Sequence, residues 1–140
     1  MGLSGISDAG QPGGRSPLDI CSLYATITLE MERIEVRIYE TRGRKAPFSE
    51  WLEGLRDPRG RAAVRTRIVR LRLGNFGDCK GVGDGVFELR IDLGPGYRVY
   101  FGRRGQEIVV LLCGGDKRSQ ERDIERAKEY WKDYQGRKYG

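Results

Sequence analysis

The sequence contains no histidine. This absence excludes Ser-His and Cys-His nucleophile pairs, paired-histidine acid–base chemistry and any histidine-ligated metal. The three cysteines, at positions 21, 79 and 113, form no CxxC spacing, and their odd number argues for a reducing compartment. No run approaches the ~20 apolar residues of a membrane span, and we see no secretion signal. We therefore expect a cytoplasmic protein that has no metal or cofactor and works through Arg, Lys, Tyr, Asp, Glu or backbone groups.

Acidic residues are in the minority. The chain has 26 Lys and Arg against 20 Asp and Glu, a net charge of +6. Residues 1–30 hold one basic and three acidic residues, so the rest of the chain carries a net +8. A basic domain of this size usually faces nucleic acid or an acidic protein, although a surface charged only for solubility is the alternative.

Residues 1–30 lack any amphipathic period and are rich in Gly, Ser, Pro and Asp, which predicts a flexible extension. A clean alternation of apolar and polar residues begins at Met31 and predicts a strand, with Ile34, Val36 and Ile38 on one face and Glu35, Arg37 and Tyr39 on the other. We expect Met31 to be the true start and residues 31–140 to be the folded domain.

Two helices are predicted next, the first opening at Pro47 and the second running to about Leu73, with Asp57-Pro58 between them. Apolar residues at helical spacing should face the core, and the second helix should present most of its arginines to solvent. The predicted core-facing residues are Phe48, Trp51, Leu52, Leu55, Val64, Ile68 and Leu71. Such closely joined amphipathic helices should form a helical hairpin.

Three strands and a last helix complete the pattern. The predicted strands are 86–92, 97–101 and 108–113, and the helix runs from about Ser119, its predicted N-cap, to Tyr134. The uninterrupted apolar run 108–113 predicts a central strand buried on both faces. The order β-α-α-β-β-β-α predicts an α+β domain with a small, largely antiparallel sheet and the helical hairpin packed on it.

Four short strings occur in order on these elements: ELR at 88–90, GPGYRVYF at 94–101, LLCGGDK at 111–117 and the Ser-Gln at 119–120. With the element order, they resemble the addiction-module killer proteins, a HigB-like branch of the RelE/ParE toxin superfamily. The resemblance covers roughly residues 32–134. It implies a RelE-like fold and a type II toxin neutralised by a cognate antitoxin, often a helix-turn-helix protein in this branch.

RelE-like members bind the ribosomal A site and cut the mRNA there, whereas ParE-like members poison DNA gyrase without cutting RNA. The resemblance therefore implies a ribosome-dependent mRNA endoribonuclease, with a gyrase inhibitor as the alternative. A toxin-like regulatory or partner-binding module is a third interpretation. Fold alone does not choose among these functions.

RNA cleavage without a metal drives the ribose 2′-OH onto the adjacent phosphate. The reaction needs a base, positive charge for the phosphorane, and a proton or cation for the leaving oxygen. Arginine suits the second role, and a Lys or Tyr with a lowered pKa, or a carboxylate such as Glu88, would be the base.

The alternation places Arg90, Arg98 and Tyr100 on the non-core face of two adjacent strands, with Lys117 just past the central strand. The resemblance implies working cations at Arg90, Arg98 and Lys117, and we add Tyr100 to this predicted catalytic set. The predicted RNA-binding residues are Lys80, in the loop before the strands, and Arg65, Arg72, Arg118 and Gln120. Each cation has a simpler interpretation as a surface ion pair, and Tyr100 as a residue that covers the sheet.

Overall fold

The computed structural model describes residues 34–137, and the predictions for the extension 1–30 and for Met31 lie outside that range. The described chain is α+β, with five strands in one mixed sheet and three α-helices. The elements are β1 Glu35–Ile38, α1 Pro47–Gly54, α2 Pro58–Arg72, β2 Cys79–Gly83, β3 Val86–Ile91, β4 Tyr97–Arg104, β5 Ile108–Asp116, a 3₁₀ turn Lys117–Ser119 and α3 Gln120–Gly136. Among these residues, no helix is both long and apolar enough to cross a membrane.

The sheet order is β1-β5-β4-β3-β2, in which β1 pairs in parallel with β5 and the other pairings are antiparallel. The sequence prediction missed β2, which it took for a loop. Two glycines in five residues hide the alternation of this strand, and backbone pairing with β3 defines it instead. Asp84 and Gly85 have φ of 57° and 83°, the positive values of a tight hairpin turn between these strands.

The first core lies between one face of the sheet and the helices α1 and α2. The predicted inward residues of α2 are all buried, since Val64 and Leu71 are 0% exposed and Ile68 is 8% exposed. Asp57 accepts a hydrogen bond from the Arg59 backbone nitrogen at 2.9 Å and so caps α2, as expected of a residue in that position. The stripe on α1 is confirmed at its buried residues Phe48 and Leu52, while Trp51 and Leu55 pack at the margin of this core.

The second core lies on the opposite face of the sheet, beneath α3. Tyr100, Val110, Leu112, Ala127 and Trp131 are buried there. The sequence prediction that this face of β3 and β4 points away from the core was wrong. Helices cover both faces of the sheet. Alternate residues of β3 and β4 therefore face two different cores, and neither face of these strands is open to solvent along its whole length.

Smaller details differ at element ends. Ile38, predicted on the same strand face as Ile34 and Val36, is 46% exposed because β1 is an edge strand. Arg103 and Arg104, expected in a turn, are the last residues of β4. Ser119 occupies the N-cap position of α3, as predicted, but its hydroxyl contacts Asp116 and Asp123 and makes no capping hydrogen bond.

The strand β5 is buried on both faces, as predicted, and lies between β1 and β4, but it continues through Gly114 and Gly115 to Asp116. A Cβ at Gly114 would collide with the Trp51 ring, and one at Gly115 would collide with the Asp123 carboxylate. The two glycines therefore let a tryptophan from α1 and a carboxylate from α3 approach opposite faces of the same strand.

We expect Gly114→Ala to destabilise the fold by about 1–3 kcal/mol, because the added methyl overpacks a filled core. Gly54→Ala is the matched control, since a Cβ there has no atom within 4 Å and φ is not positive. Urea unfolding of the two variants measures the difference. Equal unfolding midpoints would show that Trp51 moves aside at no cost.

A group of hydrogen bonds to Asp133 joins the end of β1 to the last turns of α3. Asp133 accepts hydrogen bonds from the Tyr39 hydroxyl at 2.6 Å, Arg42 at 3.2 Å and Arg137 at 2.5 Å. The Tyr39 hydrogen bond, followed by the two arginines, holds the pKa of Asp133 below its ordinary value. These hydrogen bonds therefore favour the charged form of the Asp133 carboxylate.

Because the folded-state pKa of Asp133 is depressed, its contribution to stability is present above the unfolded pKa, about 3.9, and is lost as pH falls through the folded pKa. We expect Asp133→Asn to be less stable than the wild type at pH 7, with the difference shrinking below about pH 4. Urea unfolding at both pH values measures this effect. Asp92→Asn, at an exposed position, is the control for the loss of one negative charge.

Candidate functional site

Arg90 and Arg98 lie directly opposite each other on β3 and β4, as the sequence predicted. Their row continues to Gly115 on β5, which offers no side chain and lies five residues before α3 begins at Gln120. The Nε atoms of both arginines are buried and have no hydrogen-bond partner. Like charges directly opposite on adjacent strands destabilise a sheet, so this pair needs anions nearby.

Each arginine has one carboxylate partner. Arg90 Nη2 lies 3.0 Å from Asp78 Oδ1, and its side chain is 37% exposed. Arg98 Nη1 lies 3.9 Å from Glu88 Oε1, and its side chain is 12% exposed. Arg90 therefore does form an ion pair, but its partner is Asp78, which sequence reasoning did not identify.

Glu88 lies at the centre of a buried polar cluster. It is 0% exposed, and its Oε2 accepts hydrogen bonds from the Tyr100 hydroxyl at 3.0 Å and from Gln120 Nε2 at 2.8 Å. Its Oε1 is buried without a hydrogen bond. The carboxylate thus contacts groups from β4 and from the first residue of α3.

Tyr100 cannot serve as the predicted base in this arrangement. Burial raises the pKa of its phenol, and the neighbouring Glu88 charge and hydrogen bond raise it further. The residue is also 0% exposed, so its hydroxyl lies beneath the surface and donates to Glu88. The sequence prediction required a lowered pKa on an exposed face, and the structure shows the opposite in both respects.

The 3₁₀ turn after β5 carries Lys117 and Arg118, which are both exposed. Asp116 fixes this turn by accepting from the backbone nitrogens of Arg118 at 2.9 Å and Ser119 at 3.3 Å. A Cβ built on Gly96 would lie 3.5 Å from Lys117, so the lysine stands beside the β3–β4 turn. Residues 117–122 line an open cleft of about 370 Å³ at the start of α3.

The structure separates the predicted RNA-binding residues into two groups. Lys80 lies opposite Glu88 on β2, a strand rather than the predicted loop, and is exposed at the edge of the Arg90 face. Arg65 and Arg72 are exposed on α2, which packs on the other face of the sheet. The fold therefore does not bring these two arginines to Arg90.

The combined site has an excess of positive charge. Four cations lie on β3, β4 and the turn after β5, and three carboxylates pair with three of them. The cations are Arg90, Arg98, Lys117 and Arg118, and the carboxylates are Asp78, Glu88 and Asp116. An incoming polyanion would meet side chains that can donate hydrogen bonds and remain charged.

Asp123 is a further buried carboxylate that sequence reasoning missed. It is 3% exposed, and its Oδ2 accepts from the Ser119 hydroxyl at 2.5 Å. The signal that could have found it is the Gly114-Gly115 pair, whose missing side chains make room for such a group. Within residues 34–137, no group of three potential ligands among His, Cys, Asp and Glu is arranged to hold a metal ion.

No model of a known protein family matches the chain. A protein from Haemophilus influenzae is 54% identical over 81 residues, which cover 58% of this chain and 82% of that protein. Its name, "Uncharacterized protein", states no activity. Since the match spans most of the relative at high identity, the chain belongs to the same protein family as this Haemophilus influenzae protein.

Proposed function

We propose that the chain is the toxin of a type II toxin–antitoxin system and a ribosome-dependent mRNA endoribonuclease. The observation that carries this proposal is the cross-strand pair Arg90 and Arg98, whose buried Nε atoms lack partners beside an exposed Lys117. A phosphodiester in the transition state develops the negative charge that such a group of cations stabilises. The sequence resemblance to RelE-like toxins supports the same activity and a RelE-like fold.

The proposed reaction is attack of the ribose 2′-OH on the adjacent phosphorus. The new O–P bond forms as the bond to the 5′-oxygen breaks, which leaves a 2′,3′-cyclic phosphate and a 5′-hydroxyl. Arg90 and Arg98 hold the phosphate oxygens through their planar guanidinium groups, and Lys117 neutralises charge at the rim. The chain has no histidine, and Glu88 and Tyr100 are fully buried, so we assign removal of the 2′-OH proton and protonation of the leaving 5′-oxygen to groups of the ribosome and to solvent water.

The proposed partners follow from the same chemistry. They are the ribosome with its mRNA in the cytoplasm, and an antitoxin, of helix-turn-helix type by the resemblance, that covers the cationic face with carboxylates. No membrane partner and no cofactor is part of the proposal.

Primer extension on mRNA from a cell-free translation reaction tests the proposal. We expect defined cuts within codons when ribosomes are present and intact mRNA when the same RNA is incubated without them. Intact mRNA in both reactions would contradict the nuclease proposal.

Gyrase inhibition is the second candidate, and a specific feature of α2 favours it. Val69 and Leu73 are 51% and 48% exposed, and they lie one helical turn apart beside the exposed Arg65 and Arg72. A protein-binding surface would use such apolar residues, whereas an RNA backbone would not. If the protein inhibits DNA supercoiling by purified gyrase and leaves mRNA intact, this second function is favoured. If it affects neither gyrase nor mRNA, a partner-binding module is favoured.

A further inference from the structure

Glu88 is a charged side chain in a place where charge is costly. Among the described residues, the buried polar or charged side chains are Glu88 at 0% and Asp123 at 3% exposure. Removing a carboxylate from water costs several kcal/mol, and replacing a buried ion pair with apolar residues is often neutral or stabilising. Stability alone is therefore a poor reason for a glutamate at this position.

The two oxygens of Glu88 have different surroundings. Its Oε2 is held by Tyr100 and Gln120, at 3.0 and 2.8 Å. Its Oε1 accepts no hydrogen bond and lies 3.9 Å from Nη1 of Arg98. The two hydrogen bonds fix the carboxylate so that its other oxygen faces the guanidinium.

This arrangement restricts the movement of the Arg98 side chain. The side chain is 12% exposed, so its range of rotamers is narrow, and its Nε has no partner. The same carboxylate also ties the first residue of α3 to the sheet through Gln120, just after the turn that carries Lys117. One buried group thereby sets the position of Arg98 relative to that turn.

We propose that Glu88 is a positioning residue that holds Arg98 and the start of α3 in the geometry required for phosphate transfer. This inference rests on the proposed nuclease function. Glu88 is not itself the base, because a fully buried carboxylate with two hydrogen-bond donors on one oxygen does not reach a 2′-OH. Its negative charge should weaken RNA binding slightly while it improves the alignment of Arg98.

The opposing effects on binding and alignment give a sharp test with Glu88→Gln. The amide oxygen still accepts from Tyr100, but the charge that faces Arg98 is gone. We expect kcat for ribosome-dependent cleavage to fall at least ~10-fold, since misplacement of a catalytic group by about 1 Å is enough for such losses. KM for programmed ribosomes should stay the same or fall, because one negative charge has left a phosphate-binding face.

Glu125→Gln is the matched control, because it removes the same charge from an exposed position on α3. It should leave kcat unchanged. If circular dichroism shows that Glu88→Gln does not fold, Gln120→Ala is the variant that tests the inference. That change removes one of the two donors that orient the carboxylate, so kcat should fall while KM holds.

If Glu88 only stabilises the fold, Glu88→Gln should have a lower melting temperature and the same kcat as the wild type. That result would overturn the inference. A rise in KM at constant kcat would also overturn it. A wild-type chain that leaves mRNA intact on ribosomes overturns the proposed function and this inference together. Active wild type with equally active Glu88→Gln and Gln120→Ala overturns the inference alone.

Discussion

Replacing Arg90 with alanine is expected to lower the rate of ribosome-dependent mRNA cleavage about 10²–10³-fold, the usual cost of removing one donor to a developing anion. The physical reason is the position of Arg90 opposite Arg98, where the two guanidinium groups together can hold the phosphate oxygens. The loss should appear in kcat, because the phosphorane carries more negative charge than the ground-state phosphodiester.

The fold should survive this change. The Arg90 side chain is 37% exposed, and the bonds that hold its strand in place come from its backbone, which donates to Asp78 and accepts from Arg67. The ion pair with Asp78 is largely exposed and is worth at most about 1 kcal/mol. We therefore expect a melting temperature close to that of the wild type.

Arg104→Ala is the control for net charge. Arg104 is exposed at the far end of β4, opposite Ile108, and its loss removes one positive charge from the same sheet. For this variant, the mRNA cleavage measured by primer extension and the rate of translation should equal those of the wild type. Equal cleavage by Arg90→Ala and Arg104→Ala would mean that the phosphate is held elsewhere on the molecule.

Much of the fold could be predicted because the sequence patterns that indicate its helices and strands lie within each element. Helical spacing identified the buried residues Val64, Ile68 and Leu71 on α2, and the apolar run of β5 identified a strand buried on both faces. Strand β2 was missed because it is defined by pairing with β3 rather than by its own pattern. Pairing of this kind depends on residues that the local sequence does not contain.

The candidate site could be predicted only in part, for the same reason. The hairpin of β3 and β4 brings Arg90 opposite Arg98, and a sequence pattern contains that information. The place where α3 begins above the sheet depends on long-range packing. Burial of Glu88 and Tyr100, and the bond from Gln120, follow from that packing and reverse the expected pKa shift of the tyrosine.

The packing of α3 depends strongly on Trp131, which is 2% exposed. Its ring lies where a Cβ of Gly102 would be, and it stacks on Tyr134 with ring centres 5.6 Å apart. We expect Trp131→Ala to destabilise the protein by about 3–5 kcal/mol, a large part of the ~5–15 kcal/mol total of a typical domain. Urea unfolding followed by circular dichroism measures this loss as a lower midpoint.

Val69→Ala is the control for Trp131→Ala, since this α2 side chain is 51% exposed and its truncation should change stability by no more than about 0.5 kcal/mol. A loss for Trp131→Ala no larger than that of the control would show that α3 is held by its polar contacts instead. Cleavage by Trp131→Ala should fall only in proportion to its unfolded fraction, because the tryptophan packs against Gly102 while the start of α3 is held separately by the Gln120–Glu88 hydrogen bond. Arg90→Ala should lose cleavage while it stays folded, so the two variants separate the packing that supports the site from the charges that act in it.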